Sequence, residues 1–384
     1  MRVGLGVTVW AKGCTAGHLD GIGVYTRALW HALNNKAQQA DAGFSLHPFA
    51  FGSSLPLLDC GPPYRLGERF SVHALRSTLL GAQGKLSKNV AKQIDLFHAT
   101  DHHIPRLKAT PVVANVMDLI PILHPEWAAA NLRSLKNWLF TRTVRSADHI
   151  ITISEYSKRD LIDHLGIAPE CISVTPLGVS PEYFERIPQP SVDRVLSKLG
   201  LQPGFFLFVG TLQPRKNLTR VLQAHKALPA ATRRQHPLVI VGRTGWKADK
   251  LLTELDALEL RNEGRRFEYL SGEMVRALLQ SASALVFPSL YEGFGLPVVE
   301  AFAARCPVIT SNTTSLPEVA GDAALLVDPL QADSIAAAMQ EILEQPKSTA
   351  QRIERGQERA LRYSWDACAE STLDVYRYIS GRRT

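Results

Sequence analysis

Short apolar runs with the character of strands alternate with longer amphipathic stretches along this chain, in two successive series. In the first series Arg2–Val9, Phe44–Phe49, Leu96–Ala99, Val112–Val116, His149–Ile153 and Ile172–Thr175 are short, rich in Val and Ile, and bounded by Gly, Pro, Asp or Ser. Helical periodicity fills Gly23–Leu33, Ala129–Arg145 and Tyr156–Leu165 between them. The second series runs through Phe205–Val209, Leu238–Val241, Phe267–Leu270, Ala284–Phe287, Val308–Thr310 and Ala324–Val327. Its helical stretches are Leu218–Ala227, Ala248–Leu258, Met274–Gln280 and Ser334–Glu344. Such alternation predicts an α/β chain of two Rossmann-like, doubly wound parallel sheets, each covered by helices on both faces.

Pro181, Pro188, Pro190 and Pro203 interrupt the pattern between the two series. The expected organisation is therefore a first domain at 1–182, a linker at 183–203 holding a short helix Val192–Leu199, and a second domain at 204–362. The remainder, 363–384, contains one amphipathic helix, Tyr363–Ile379, expected to cross back to the first domain. A chain of 384 residues suits two domains of ordinary size.

A hydrophobic fraction of 45% with 21% charged residues is globular rather than disordered composition. No apolar run is long enough to cross a bilayer. The opening MRVGLGVTVW has an apolar stretch of only about eight residues and no small-residue cleavage site, so it reads as a strand and not as a signal peptide. Five scattered cysteines without a Cys-x-x-Cys pair indicate neither a zinc knuckle nor a disulfide framework, and place the chain in the reducing cytosol.

The net charge of +7 suits an anionic partner. Residues 64–92 hold Arg65, Arg69, Arg76, Lys85, Lys88 and Lys92 against Glu68 alone, and residues 127–147 hold Arg133, Lys136, Arg142 and Arg145 with no acid. These segments read either as solvated helix faces or as a surface for anionic lipid. Leu75, Leu79, Leu80 and Leu86 among the first set lean toward the lipid reading. Basic, aromatic-rich tracts suited to base stacking are absent, so nucleic acid is not an expected partner.

Open parallel sheets bind ligands beyond the carboxyl ends of their strands, so the polar groups that follow each strand matter most. After the first strand comes a loop and then Asp20-Gly21-Ile22-Gly23-Val24-Tyr25. Glycines there either admit a phosphate to a helix N-terminus or make a tight strand–helix turn. After the seventh strand stands Gly210-Thr211-Leu212-Gln213-Pro214-Arg215-Lys216-Asn217. Arg215 and Lys216 are read as opening a helix, where the macrodipole favours acids instead. A bound diphosphate resolves that conflict, with Arg giving planar bidentate contact and Lys a point charge.

The most specific segment is Phe287-Pro288-Ser289-Leu290-Tyr291-Glu292-Gly293-Phe294-Gly295-Leu296-Pro297-Val298-Val299-Glu300-Ala301. Pro297 suits the start of a helix, and Gly293 and Gly295 loosen the backbone just before it, which makes a second anion site. A carboxylate in the loop, Glu292, can accept hydrogen bonds from sugar hydroxyls, and one a turn into the helix, Glu300, can grip a ribose diol; the alternative is a cap and a surface acid, which the surrounding Gly/Pro pattern disfavours.

The run E-G-F-G-L-P-V-V-E resembles the E-x7-E motif of retaining GT-B glycosyltransferases, in particular glycosyltransferase family 4. The likeness extends to G-T-L-Q-P-R-K-N, T-I-S-E-Y-S-K, T-P-L-G-V, S-N-T-T-S-L-P-E-V-A-G-D-A-A and D-G-I-G-V-Y, and is weakest over residues 40–95. It implies a GT-B fold whose two domains face a central cleft. It also implies that Arg215 and Lys216 hold the donor diphosphate, that Glu292 contacts the transferred sugar and that Glu300 binds the ribose. The backbone at Gly210, Thr211, Gly293, Phe294, Gly295 and Leu296, with Gly21 and Gly23, would complete the phosphate pocket, and Met274 and Val275 would lie against the base. Many relatives carry His-Asp after the fourth strand, with the His near the donor sugar. Here Met117 stands in place of that His, Asp118 is the expected polar group beside the anomeric centre, and His98, Asp101, His102, His103 and His124 lie close by in sequence. The spacing of these histidines matches no common zinc pattern.

The leaving nucleoside diphosphate gathers charge as the glycosidic bond breaks, and that charge must be stabilised. No Asp-x-Asp occurs in the chain. The expected reaction is therefore metal-independent transfer with no cofactor beyond the nucleotide-sugar donor, and retention of configuration is implied by the resemblance. The same resemblance favours a GDP-linked hexose, GDP-mannose or a GDP-deoxyhexose, with a UDP-sugar as the alternative. It implies a glycan or polyprenyl-diphosphate (lipid-linked) acceptor in lipopolysaccharide O-antigen or other cell-surface polysaccharide assembly, reached from the cytoplasmic side with peripheral attachment to the membrane. A GT-B sugar-nucleotide epimerase and a non-catalytic nucleotide- or glycan-binding protein are the competing classes.

Overall fold

Val, Ile, Leu and Phe fill both faces of the central strands, which therefore need helices above and below them. The computed structural model describes residues 1–67, 69–80, 85–127, 133–245 and 249–381, and the chain divides into two units within it. The first comprises Met1–Gly178 and the C-terminal stretch from Trp365, and the second is Val179–Ser364.

The first unit holds β1 (Arg2–Gly6), β2 (Ser45–Phe51), β3 (Tyr64–Gly67), β4 (Leu96–Ala99), β5 (Val112–Asn115), β6 (His149–Thr152) and β7 (Ile172–Val174). All pair in parallel in the order β3-β2-β1-β4-β5-β6-β7, with Val3 of β1 opposite Leu46 and Leu96. Val3, Leu5 and Ile151 point to one face, where Trp30, Leu33, Tyr376 and Ile379 cover them from the helices Gly21–Ala37 and Trp365–Gly381. Phe49, Phe97 and Ile150 point to the other, under Val90, Val144 and Leu161 of the helices Lys85–Gln93, Arg133–Val144 and Glu155–Leu165. A buried polar chain ties the C-terminal helix down: the Tyr376 hydroxyl lies 2.6 Å from His98 Nδ1, His98 Nε2 meets the Asn115 side chain, and the Asn115 amide donates to the Tyr25 hydroxyl at 2.8 Å. Burial pushes the His98 imidazole down to about 4, so it is neutral at ordinary pH.

The second unit holds β8 (Phe206–Val209), β9 (Leu238–Val241), β10 (Gly264–Phe267), β11 (Ala284–Phe287), β12 (Val308–Ser311) and β13 (Leu325–Val327). They too are all parallel, in the order β10-β9-β8-β11-β12-β13. Phe206, Phe208, Ile240 and Val286 pack on one face with Val221, Leu255 and Met339 from the helices Leu218–Ala227, Asp249–Leu260 and Ala332–Glu344. Residues 183–203, expected as a linker, lie within this unit, where the helix Gln189–Leu199 packs on the helix Gly272–Ser281.

Three elements differ from expectation. β1 stops at Gly6, and the residues read as strand end and loop form a helix, Thr8–Ala16. Thr8, Val9 and Trp10 have strand propensity, and Val7 at the N-cap offers no capping side chain. The carboxylate of Asp101 supplies the acceptor from far along the chain, taking the Val9 N–H at 3.1 Å. The edge strand β3 escaped the pattern because it is short, with Tyr64 and Arg65 exposed. β10 lies at Gly264–Phe267 instead of Phe267–Leu270, because Arg265 and Arg266 occupy an edge where charge is tolerated. Arg266 pairs there with Asp256 at 3.2 Å. The first residues of the expected helices Ala129–Arg145 and Ala248–Leu258 lie outside the described residues, as do Glu68 and residues 81–84 of the basic segment.

Candidate active site

In the second sheet the strand order reverses between β8 and β11, the place beyond which open parallel sheets bind ligands. The loops that follow these two strands carry Arg215, Lys216 and Glu292. Lys216 Nζ lies 2.6 Å from Glu292 Oε1, and Arg215 Nη1 lies 3.0 Å from Glu292 Oε2. Lys216 and Glu292 are both buried, and the ammonium also sits 4.5 Å from the centre of the Phe287 ring. Burial opposes ionisation of Glu292, but Lys216 and Arg215 outweigh it and hold the carboxyl below the usual glutamate range. The Ser315 hydroxyl fixes the loop by donating to the carbonyls of Glu292 and Phe294, and Thr314 accepts the Glu292 N–H.

Arg215 and Lys216 do not open an α-helix as expected. They lie in a single 3-10 turn, Pro214–Lys216, and Asn217 at φ +63° separates them from the helix Leu218–Ala227. The anticipated conflict with the helix dipole is thus absent: the charges are held by Glu292 and by the Tyr291 carbonyl, which accepts from Arg215 Nη1 at 3.3 Å, and the backbone is tied by the Arg215 carbonyl, which accepts the Leu290 N–H at 2.7 Å. Gly210, at φ +149°, lies beside the Lys216 stem, and Thr211 follows it on the exposed side of the loop. The loop after β9 crosses so close that a Cβ on Gly242 would stand 1.9 Å from the Gly210 carbonyl oxygen.

Gly293, Phe294 and Gly295 lead into the helix Leu296–Ala303, whose N-cap, Gly295 at φ +103°, has no side chain with which to cap it. Glu300, half-buried in that helix, is hydrogen-bonded to the Tyr183 hydroxyl, and burial pushes its carboxyl up to about 7. Met274 and Val275 begin the helix Gly272–Ser281 beyond β10, where Ser271 Oγ accepts the Met274 N–H at 3.3 Å.

The first sheet reverses its order between β1 and β4. The helix after β1 carries Lys12, and the loop after β4 carries Asp101, His102 and His103. Asp101 Oδ1 lies 2.8 Å from His103 Nδ1, and Lys12 Nζ lies 3.0 Å from His103 Nε2. These residues line a cavity of about 810 Å³ together with Met117, Asp118 and Phe140. The ligand atoms of Asp101, His102 and His103 lie within 4.8 Å of one another, but the ammonium of Lys12 stands at the His103 nitrogen that a metal ion would use. Asp118 Oδ1 accepts the Ile120 N–H at 3.0 Å. Gly21 and Gly23 open the helix Gly21–Ala37, where Asp20 already accepts the Gly23 N–H at 2.8 Å. His98 is absorbed in the core network, and His124 is engaged with Glu126 and stacked on Trp127.

Residues 193–359 match the family model for glycosyl transferases group 1, and residues 20–183 match that for glycosyltransferase family 4. O-antigen chain mannosyltransferase B of Escherichia coli is 32% identical over 285 residues, covering 74% of this chain and 74% of that protein. This chain is a family 4 glycosyltransferase. The MMP alpha-(1->4)-mannosyltransferase of Mycolicibacterium hassiacum is 31% identical over 239 residues, 61% of this chain and 55% of that protein. Among solved structures, sucrose-phosphate synthase from Thermosynechococcus elongatus superposes with a TM-score of 0.74 at 18% identity, covering 100% of both chains. That likeness concerns the fold: two Rossmann-like parallel-sheet units, the GT-B architecture.

In this glycosyltransferase the structure brings Arg215, Lys216 and Glu292 into one cluster within the second unit, next to the helix that carries Glu300. Asp118, Gly21 and Gly23 belong to the first unit. The supporting residues Thr314, Ser315 and Tyr183 were not singled out from the sequence. Ser315 and Thr314 stand within the quoted S-N-T-T-S-L-P-E-V-A run, but no local pattern shows that their hydroxyls reach the Glu292 loop.

Proposed function

We propose that this glycosyltransferase moves a hexose, with retention of configuration and without a metal ion, from GDP-mannose or a GDP-deoxyhexose to a glycan or lipid-linked acceptor in O-antigen or similar cell-surface polysaccharide assembly. The observation that carries this reading is the convergence of Arg215 and Lys216 on the single buried carboxylate of Glu292 beside the β8–β11 reversal. Two cations already gathered around an anion are preorganised for the charge that builds on a departing diphosphate, and preorganised charge is where catalytic stabilisation is greatest. In this reading the diphosphate takes over Arg215 and Lys216, assisted by the amides at Thr211 and Gly293 to Leu296; the N–H of Gly210 already donates to the Val241 carbonyl and that of Gly23 to Asp20, so the expected part of these two amides is not supported. Glu292 is released toward the sugar hydroxyls, Glu300 holds the ribose, Met274 and Val275 flank the base, and Asp118 stands near the anomeric carbon. The likeness to a mannosyltransferase of O-antigen chains supports the sugar and the pathway.

Attachment to an anionic membrane surface is part of the same proposal. The packed helices Phe70–Leu80 and Arg133–Val144 expose Val72, Leu75, Leu135 and Trp138 beside Arg76, Lys136 and Arg142, a mixture of apolar and basic groups suited to lipid. No helix among the described residues is long and apolar enough to cross a membrane.

The test offers GDP-mannose, GDP-rhamnose and UDP-glucose in turn with lipid-linked glycans, and reads the anomeric configuration of the product by NMR. Transfer from the GDP-sugars with retained configuration, undiminished by EDTA, is expected. Exclusive use of UDP-glucose would refute the donor assignment. Full loss in EDTA with recovery in Mn²⁺ would refute metal independence. Flotation with liposomes that contain or lack anionic lipid tests the membrane surface, and equal recovery from both would count against it.

A further inference from the structure

We infer that His103, oriented by Asp101 and partnered by Lys12, holds the acceptor hydroxyl in the cavity of the first unit; the inference rests on the transferase reading above. The first sheet has its own order reversal, between β1 and β4, and these three residues come from the two segments that follow those strands. Such a position is where an open parallel sheet offers a ligand site, independently of the corresponding place in the second unit.

The hydrogen bonds determine what the site presents. Asp101 Oδ1 accepts both the backbone N–H of His103, at 2.6 Å, and its ring Nδ1, at 2.8 Å. Burial opposes ionisation of Asp101, but the hydrogen bond from His103 helps keep its carboxyl below the usual range, so it is an acceptor only. The Nδ1–H of His103 therefore points to Asp101, and Nε2, which faces the donor-only Lys12, is the acceptor of that pair. Lys12 Nζ, 3.0 Å away, is a donor with further hydrogens to offer. A sugar hydroxyl that displaces Lys12 from the ring donates to Nε2 and accepts from the displaced ammonium.

The geometry is anchored on all sides. Asp101 Oδ2 caps the helix Thr8–Ala16 through the Val9 N–H, and Lys12 follows one turn later on the same face. The His103 ring is buried and packs edge-on against Phe70 with centroids 5.0 Å apart. Capping and packing account for Asp101 and for the ring of His103. They do not account for an exposed lysine directed at the ring nitrogen that faces a cavity of about 810 Å³, large enough for more than one sugar unit.

The experiment measures binding first and turnover second. Methyl glycosides of mannose, glucose, galactose and N-acetylglucosamine are titrated at millimolar concentration into the full chain and into Lys12→Met and His103→Gln variants, with saturation-transfer NMR as readout. GDP and UDP are titrated in parallel. Expected is glycoside binding by the wild type that weakens about tenfold or more in both variants, with nucleotide affinity and Tm unchanged. With the working acceptor, KM for acceptor should rise by a similar factor while KM for donor stays within twofold. Lys12 is exposed, so Lys12→Met keeps the test valid if His103→Gln does not fold. Undiminished glycoside binding in Lys12→Met would overturn the inference. So would wild-type protein that binds GDP but none of the glycosides, and that outcome would leave the donor reading standing. Failure to bind any nucleotide would overturn the transferase reading and this inference with it.

Discussion

Lys216 Nζ and Glu292 Oε1 face each other at 2.6 Å, both side chains buried, in the loops that follow two neighbouring strands of the second sheet. Breaking such a pair from one side leaves an uncompensated buried charge, which costs about 3–5 kcal/mol. Alanine at either position is thus expected to lower stability as well as turnover. Glu292→Gln keeps the shape but offers only one acceptor oxygen to the two cations and leaves their charge uncompensated, so it too should melt lower than the parent. Its kcat, measured below its melting transition, should fall by about 10²–10³-fold. Initial rates and calorimetry together check this, and a loss in kcat of less than tenfold would remove Glu292 from the reacting centre.

Burial raises the Glu300 carboxyl to about 7, well above the usual 4.5 of a glutamate. A raised acid binds more protons folded than unfolded between those values, so its contribution to stability is present at low pH and lost as pH climbs from about 4.5 through 7. A ribose diol donating to the carboxylate favours the charged form. Donor nucleotide binding should therefore tighten between about pH 6 and pH 8 as Glu300 ionises through about 7. Titration calorimetry over that range, on the parent and on Glu300→Gln, checks it. An equal pH dependence in the variant would assign the effect elsewhere.

His98 works in the opposite direction in the first unit. Its imidazole, lowered to about 4 from 6.5, binds fewer protons folded than unfolded, so its stabilisation is full above 6.5 and is lost as pH falls through 4. The Tyr376 hydroxyl, 2.6 Å from His98 Nδ1, joins the C-terminal helix to this group. Tyr376→Phe leaves a buried ring nitrogen without its partner and should cost about 1–3 kcal/mol. Chemical denaturation at pH 7.5 measures that loss, and a change below about 0.5 kcal/mol would show that the network holds the helix only weakly.

Gly242 admits no side chain, because its Cβ would stand 1.9 Å from a backbone oxygen of Gly210. Gly242→Ala is expected to push the β8 loop out of place and weaken nucleotide binding by at least tenfold. Far-ultraviolet circular dichroism and a nucleotide thermal-shift series separate local displacement from unfolding. Normal affinity in a folded variant would show that the two loops tolerate separation.

Legibility followed burial. The central strands were readable because they are apolar on both faces, whereas β3 and β10 were missed or misplaced because edge strands tolerate Arg65, Arg265 and Arg266. Arg215, Lys216 and Glu292 were visible as residue types at the ends of strands. The helix dipole does not act on these cations as expected, since the backbone turns at Asn217 before the helix begins.

The order of elements, the α/β class and the chemistry of the E-G-F-G-L-P-V-V-E segment are local properties, set by period, side-chain type and the freedom of glycine, and each is written along the chain. Which strands become neighbours is not. The adjacency of β8 to β11 and of β1 to β4 arises only when the sheets close, and it joins residues far apart in sequence: Lys216 to Glu292, and Lys12 to His103. The helix Thr8–Ala16 makes the point most directly, because its capping carboxylate comes from Asp101, and no pattern confined to its own residues could announce it.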